Sequence, residues 1–176
     1  VVIDLAALSN DPVGELNPEK TYEINHQGRA RVAKLSKEAG VPRYILASSA
    51  SIFGQVEGIA DENSEVFPLT AYSKANRKAE IDNLALNDEE FTVTALRFSS
   101  LFGVSPRMRF DMAVNEMVLE LYKTKKITVR GKTNQRPFLH LKDAVNAYKL
   151  VLNAPKEKIA GQIFNVGANE QNFKIG

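Results

Sequence analysis

The stretch Tyr72-Ser-Lys-Ala-Asn-Arg-Lys-Ala-Glu80 follows a long polar loop, and before that loop stands a serine-rich segment, Ser48-Ser-Ala-Ser-Ile-Phe-Gly54. A phenol at the head of a helix, after a strand ending in hydroxyls, is a pairing that can exchange a proton: one oxygen moves it and the other orients the acceptor. Each half has a structural alternative. Strand-end serines often satisfy loose backbone groups, and a tyrosine at a helix start is often half-buried packing. The joint placement at one end of a parallel sheet is what favours chemistry.

The elements that must position these groups follow from the pattern of the chain. Val1-Val-Ile-Asp-Leu5 reads as a strand already under way, and Ala6-Ala7 then lets another group approach the backbone closely. Asn10-Asp-Pro-Val-Gly14 has turn chemistry. Asn17 caps a helix with Pro18 at its first position, and Gly40 and Pro42 end it after about Ala39. Tyr44–Ala47 is the next strand, Ala71 to about Leu86 the helix carrying Tyr72, and Phe91–Leu96 a further strand. Strands alternating with helices predict an α/β fold with a parallel sheet, whose ligands sit at the carboxyl ends of the strands. Ser48–Ser51 and Ser99–Gly103 both lie at such ends. Beyond Pro106 the spacing predicts a helix over 110–123, a strand over 127–130, a loop over 131–137, an extended 138–141, a helix over 143–153 and a strand over 162–166.

Composition narrows the functional classes. With 176 residues, 44% of them apolar, the chain can bury a sizeable core. Its 23 basic and 21 acidic residues give a net charge of +2 and are spread throughout, so no stripe argues for nucleic acid. The basic Lys123–Lys126 stretch reads as a solvated helix end. There is no cysteine, and the two histidines are far apart, which leaves no thiolate or histidine metal cluster. Neither a membrane-length apolar run nor a signal-peptide pattern occurs, so the expected setting is the cytoplasm without a membrane.

Several motifs in order resemble the extended short-chain dehydrogenase/reductase family, which includes the NAD-dependent nucleotide-sugar epimerases. Leu5-Ala-Ala7 resembles the short motif lining the cofactor, and Asn25-His-Gln-Gly28 the helix motif with Asn and Gly three apart. Ser49 and Tyr72 take the places of the catalytic Ser/Thr and Tyr. Arg97 with Gly103, Arg136 with His140 and Asp143, and Phe164-Asn-Val-Gly167 complete the series. Ser9-Asn-Asp-Pro12 and Arg109-Phe-Asp111 resemble a subgroup described as NAD-dependent epimerase/dehydratase.

The resemblance implies a partial Rossmann-type doubly wound sheet over 1–103 and mostly a smaller substrate-binding region over 104–176. It implies NAD held by Leu5, Ala6, Ala7, Ser48 and Tyr72, and a nucleotide sugar met by Ser9, Ser51, Ser100, Arg109 and Arg136, with the Arg136 fork toward the diphosphate. Asn25 either braces the site or ties down a neighbouring loop. Arg97 is expected to brace, His140 to be structural, and Asp143 to cap or begin a helix. Pairing into a homodimer is implied through helices 18–39 and 71–86.

Two departures stand out. The family's glycine-rich first turn is missing from these residues, so a truncated chain is expected, one that by itself binds NAD weakly or not at all. The lysine that the family places four residues after the tyrosine is here Asn76. A neutral amide exerts no long-range field on a phenol whose unperturbed pKa is about 10. Lys74 and Lys78 lie roughly 200° and 240° round the helix from it. Reduced turnover and a more alkaline optimum are therefore expected, both responsive to Asn76→Lys. Ala50 and Ser51 stand where family dehydratases carry Asp-Glu, which leaves epimerisation or keto-reduction; a binding protein with impaired catalysis is the alternative.

Overall fold

The computed structural model describes residues 1–56, 58–129 and 135–174. They divide into two compact units, Val1–Arg97 with Ala154–Asn165, and Phe98–Asn153 with Val166–Gly176.

The first unit is built on a four-stranded parallel sheet in the order β1 (Val2–Asp4), β2 (Arg43–Ser49), β3 (Thr92–Phe98), β6 (Ile163–Val166). β1 pairs with β2 with Val2 opposite Tyr44 and Asp4 opposite Leu46. Every residue of β3 is buried, as expected for a central strand covered on both faces. Ala33, Tyr44, Leu46, Ala79, Phe91, Val93 and Ala95 form the core of this unit, with Val2, Leu84 and Ile163 packed against it.

Asn10-Asp-Pro-Val-Gly14, expected as a turn, instead opens a short helix, α1 (Asp11–Leu16). The same residues suit both: Asn10 Oδ1 accepts from Val13 N at 2.9 Å, and proline lies in the first helical turn, where no N–H is needed. Asn17 caps the next helix in the same way, accepting from Lys20 N at 3.0 Å. That helix is one continuous rod with a widened middle: α2 (Pro18–Tyr22), a π-helical stretch (Glu23–Gly28) and α3 (Arg29–Glu38). Such stretches are rare in helices and recur at functional sites.

α4 (Ala71–Leu84) begins at a reciprocal cap, with Thr70 Oγ1 accepting from Ser73 N at 3.1 Å and Ser73 Oγ accepting from Thr70 N at 3.0 Å. Two carboxylates of α1 meet this end: Thr70 Oγ1 donates to Asp11 at 2.5 Å and Ala71 N to Glu15 at 2.5 Å. Negative charge is favourable at a helix N-terminus, where the N–H groups are otherwise unpaired. Gly14 makes the approach possible, since a Cβ there would lie 2.9 Å from Tyr72 Cβ.

The second unit contains β4 (Ser100–Phe102), α5 (Ala113–Thr124), β5 (Gln135–His140), α6 (Leu141–Asn153) and β7 (Asn172–Lys174); α7 (Lys156–Ile159) belongs to the first. β5 runs parallel to β4, with Leu101 opposite Leu139, and antiparallel to β7, with Arg136 opposite Phe173. Gln135–Pro137 are thus strand where a loop was expected, because β7 supplies a partner that the sequence pattern did not reveal. The strand expected over 127–130 is not formed at Ile127–Val129: Thr128 gives its N–H and its hydroxyl to the Glu120 carboxylate at 2.9 and 2.8 Å. Arg130 and the 131–134 part of the expected loop lie outside the described residues. No helix among the described residues is long and apolar enough to cross a membrane.

Candidate active site

The carboxyl ends of β1 and β2 and the head of α4 bring Leu5–Ala7, Ser48–Ser51, Tyr72 and Asn76 into the first unit. Ser49 ends β2 in extended backbone, accepts from Ser51 N at 3.2 Å and lies near enough to the Tyr72 phenol to favour its ionised form. The two residues that the sequence singled out thus belong to the same unit, one at a strand end and the other at a helix head. Tyr72 is half-buried, and burial, the largest influence, pushes its pKa above the ordinary value. The Ser49 hydroxyl, the positive charge of Arg29 and the Asn76 amide pull it down, while Asp11 pushes it up.

Asn76 is buried beneath the tyrosine. Its Nδ2 donates to the Tyr72 carbonyl at 3.0 Å, and its Oδ1 accepts from Arg29 Nη1 at 2.9 Å. Arg29 is itself only 2% exposed and divides its remaining donors among Asp4 Oδ2 (3.1 Å), the Asp4 carbonyl (3.2 Å) and the Ala47 carbonyl (2.5 Å). Asp4 also accepts from Tyr44 OH at 2.5 Å and from Ala6 N at 3.1 Å. Burial and the Asp4 hydrogen bond hold Tyr44 protonated far above the ordinary phenol range, so Tyr44 serves as a donor here.

The segment after β1 is fixed from two sides. Asn25, from the π-helical stretch, accepts from Leu8 N at 2.8 Å and donates to the Leu8 carbonyl at 2.9 Å; Ala6 is held by Asp4. Leu5 and Ala6 remain exposed and Ala7 half-buried. Ser48 is turned inward: its hydroxyl donates to Glu80 Oε1 at 2.6 Å. Glu80 is fully buried and also takes Arg97 on both oxygens at 3.0 Å and Arg77 at 3.0 Å. A buried carboxylate between two guanidinium groups ties β2, α4 and β3 together behind the serine and tyrosine. Ser51 Oγ is buried without a hydrogen-bond partner, and Ser9 is exposed.

The other expected substrate residues belong to the second unit. Ser100 is half-buried in β4 opposite Phe138; Arg109 grips Asp111 at 2.7 and 2.5 Å; Arg136 is exposed on β5. His140 Nδ1 accepts from Lys142 N at 3.2 Å and its ring meets Phe102 edge-on, centroids 5.3 Å apart. A Cβ at Gly103, whose φ is 121°, would come within 2.7 Å of that imidazole. Asp143 lies in the first turn of α6.

A sequence profile of the NAD dependent epimerase/dehydratase family matches residues 1–167. The chain belongs to that family. It is 27% identical over 149 residues to the uncharacterized UDP-glucose epimerase YtcB of Bacillus subtilis, covering 84% of this chain and 46% of that protein. It is 36% identical over 101 residues to the human sterol-4-alpha-carboxylate 3-dehydrogenase, decarboxylating, covering 54% of this chain and 27% of that one. Among solved structures, MoeE5 in complex with UDP-glucuronic acid and NAD superposes with a TM-score of 0.89 at 26% identity, over 99% of this chain and 58% of that one. The chain thus spans about half the length, or less, of these relatives. Its fold class is that of the Rossmann-type family members.

Sequence reasoning did not single out Arg29, Glu80, Asp4, Asp11, Glu15 or Gly14. The available signal was spacing. Arg29 is one turn beyond Asn25, and Tyr72, Asn76 and Glu80 recur at four-residue steps on one face of α4.

Proposed function

We propose that the full-length protein is an NAD-dependent nucleotide-sugar epimerase in which Tyr72 exchanges the proton of a sugar hydroxyl and Ser49 orients it. The observation that carries this reading is the placement of Ser49 at the end of β2 beside the Tyr72 phenol at the head of α4, where Ser49 favours the ionised phenol. Membership of the family and the likeness to a structure holding UDP-glucuronic acid and NAD support it.

The residues present fit a dinucleotide. Leu5–Ala7 offer an exposed segment with small side chains at two of three positions, held by Asp4 and Asn25, and Ser51 has an orphaned hydroxyl in the same unit. Leu5, Ala6, Ala7, Tyr72 and the main chain of Ser48 would hold the cofactor; NAD, when bound, supplies hydride acceptance and return. Tyr72 takes the hydroxyl proton as the sugar is oxidised and gives it back on reduction, and Ser49 holds the same oxygen. Ser9, Ser51, Ser100, Arg109 and Arg136 are assigned to the nucleotide sugar, with the exposed Arg136 on the diphosphate. Arg109 serves only by releasing Asp111. Ala50 and Ser51 offer no carboxylate for the elimination that a dehydratase needs.

Homodimer formation through helices 18–39 and 71–86 belongs to the same proposal, supported by the exposed apolar side chains Val32, Leu35 and Ile81 on these helices. A second reading, a family member that binds a nucleotide sugar without turning it over, is favoured by the burial that raises the Tyr72 phenol. Incubating the full-length protein with NAD and a panel of UDP-sugars, plus a sterol carboxylate arm, separates these. Epimeric sugar products support the leading reading. Binding of a nucleotide sugar without product supports the second, and turnover of the sterol alone contradicts both.

A further inference from the structure

A buried phenol whose proton must leave near neutrality needs a positive charge within reach, because burial favours its neutral form. The side chain beneath Tyr72 is an amide, yet that amide is not isolated: its oxygen accepts from a guanidinium, and its nitrogen donates back into the tyrosine's own backbone. We propose that Arg29 is a positioning residue for proton transfer, delivering to the Tyr72 phenol, across Asn76, the positive field that Asn76 itself lacks. This rests on the reading of Tyr72 as the proton-transfer group.

Four observations carry it. First, Arg29 is 2% exposed, so its charge is weakly screened by water and stays fixed in place. Second, four of its five N–H groups meet four acceptors of three residues, with Nη1 turned to Asn76 while Nε and Nη2 are taken up by Asp4 and Ala47. Third, Asp4, the one carboxylate paired with it among the described residues, also accepts from Tyr44 OH and from Ala6 N, so its charge is divided among three donors. Fourth, Asn76 stands between the two groups, since its oxygen accepts from the cation and its nitrogen donates to the Tyr72 backbone carbonyl, fixing the amide beneath the tyrosine. Among the groups around the phenol, Asp11 of α1 opposes the field, Glu15 is engaged at Ala71 N, Ser49 is neutral, and Lys74 and Lys78 of α4 itself are exposed. Arg29 is thus the buried cation coupled to the phenol. An arginine holds its charge at any pH of interest, where a buried lysine would lose it more readily.

The test replaces Tyr72 of the full-length protein with a ring-fluorinated tyrosine, whose lower intrinsic pKa brings its titration within the range the fold tolerates, and follows the fluorine signal without any sugar. Arg29→Gln is expected to raise the midpoint by about one to two units, the scale of a neighbouring charge. Arg29→Lys should leave it nearly in place, and Arg29→Gln with Asn76→Lys should bring it back down. Where Arg29→Gln alone does not fold, Arg29→Met with Asp4→Asn removes the charge without orphaning its partner, and the same rise is expected. A midpoint unmoved by loss of the Arg29 charge overturns the proposal. Because no substrate enters the measurement, absence of epimerase activity sinks the functional reading while leaving this result standing. Turnover combined with an unmoved midpoint does the reverse.

Discussion

At Tyr72 opposing influences set how readily the phenol gives up its proton. Burial and Asp11 hold the proton on; Ser49, Arg29 and Asn76 favour its release, and burial wins in the free protein. A group whose pKa is raised is protonated across the neutral range, so the base form grows with rising pH. The kcat of the full-length enzyme should therefore climb from neutral into the alkaline range, as a pH–rate profile would register, and Ser49→Ala should move that climb to still higher pH. Asn76→Lys alone sets an ammonium against the Arg29 guanidinium, so the expected outcome is a lower melting temperature with little gain in rate, read by thermal unfolding. Tyr72 and Ser49 were legible in the sequence because their types and order carry chemistry by themselves. Arg29 was not, because arginine is ordinarily a surface residue and only the packing of α3 against α4 and β1 shows it sealed inside.

At the scale of elements, the site stands on buried polar joints. Glu80 links α4 to β2 through Ser48 and to β3 through Arg97, and it is fully buried. Glu80→Ala strands the buried Arg97 guanidinium and should cost about 3–5 kcal/mol of stability in a denaturant titration. Asp88 plays a milder part at the turn into β3, accepting from Glu90 N and Phe91 N and pairing with Lys37 at 2.7 Å. Lys37 and these backbone donors hold its pKa at about 2. A depressed carboxylate contributes fully above its unfolded value of about 4 and loses that contribution as pH falls toward its folded value. The protection factor of the Phe91 amide, its exchange measured against the unstructured rate at the same pH, should accordingly fall between those limits, and Asp88→Asn should remove that fall. β1, β2, β3, β6, α4 and the long helix were legible from periodicity and caps. α1 was not, since a cap followed by proline reads equally as a turn, and β7 was not, since its pairing with β5 is a long-range fact. The strand expected over 127–130 is not formed at 127–129, because the Glu120 carboxylate takes the Thr128 N–H that a ladder would need.

For the whole molecule, the match to relatives over about half their length makes partner and substrate questions for the full-length protein. Leu35→Glu with Ile81→Glu should dissociate the proposed dimer in sedimentation while leaving the circular dichroism of the subunit intact, because both side chains are more than half exposed. The central claim is that one phenol moves the proton. Its most direct test compares Tyr72→Phe with the parent full-length enzyme on the UDP-sugar that the panel identifies. The account predicts a fall in kcat of about a hundredfold or more with the Kd for the nucleotide sugar unchanged. An unchanged kcat in Tyr72→Phe would contradict it.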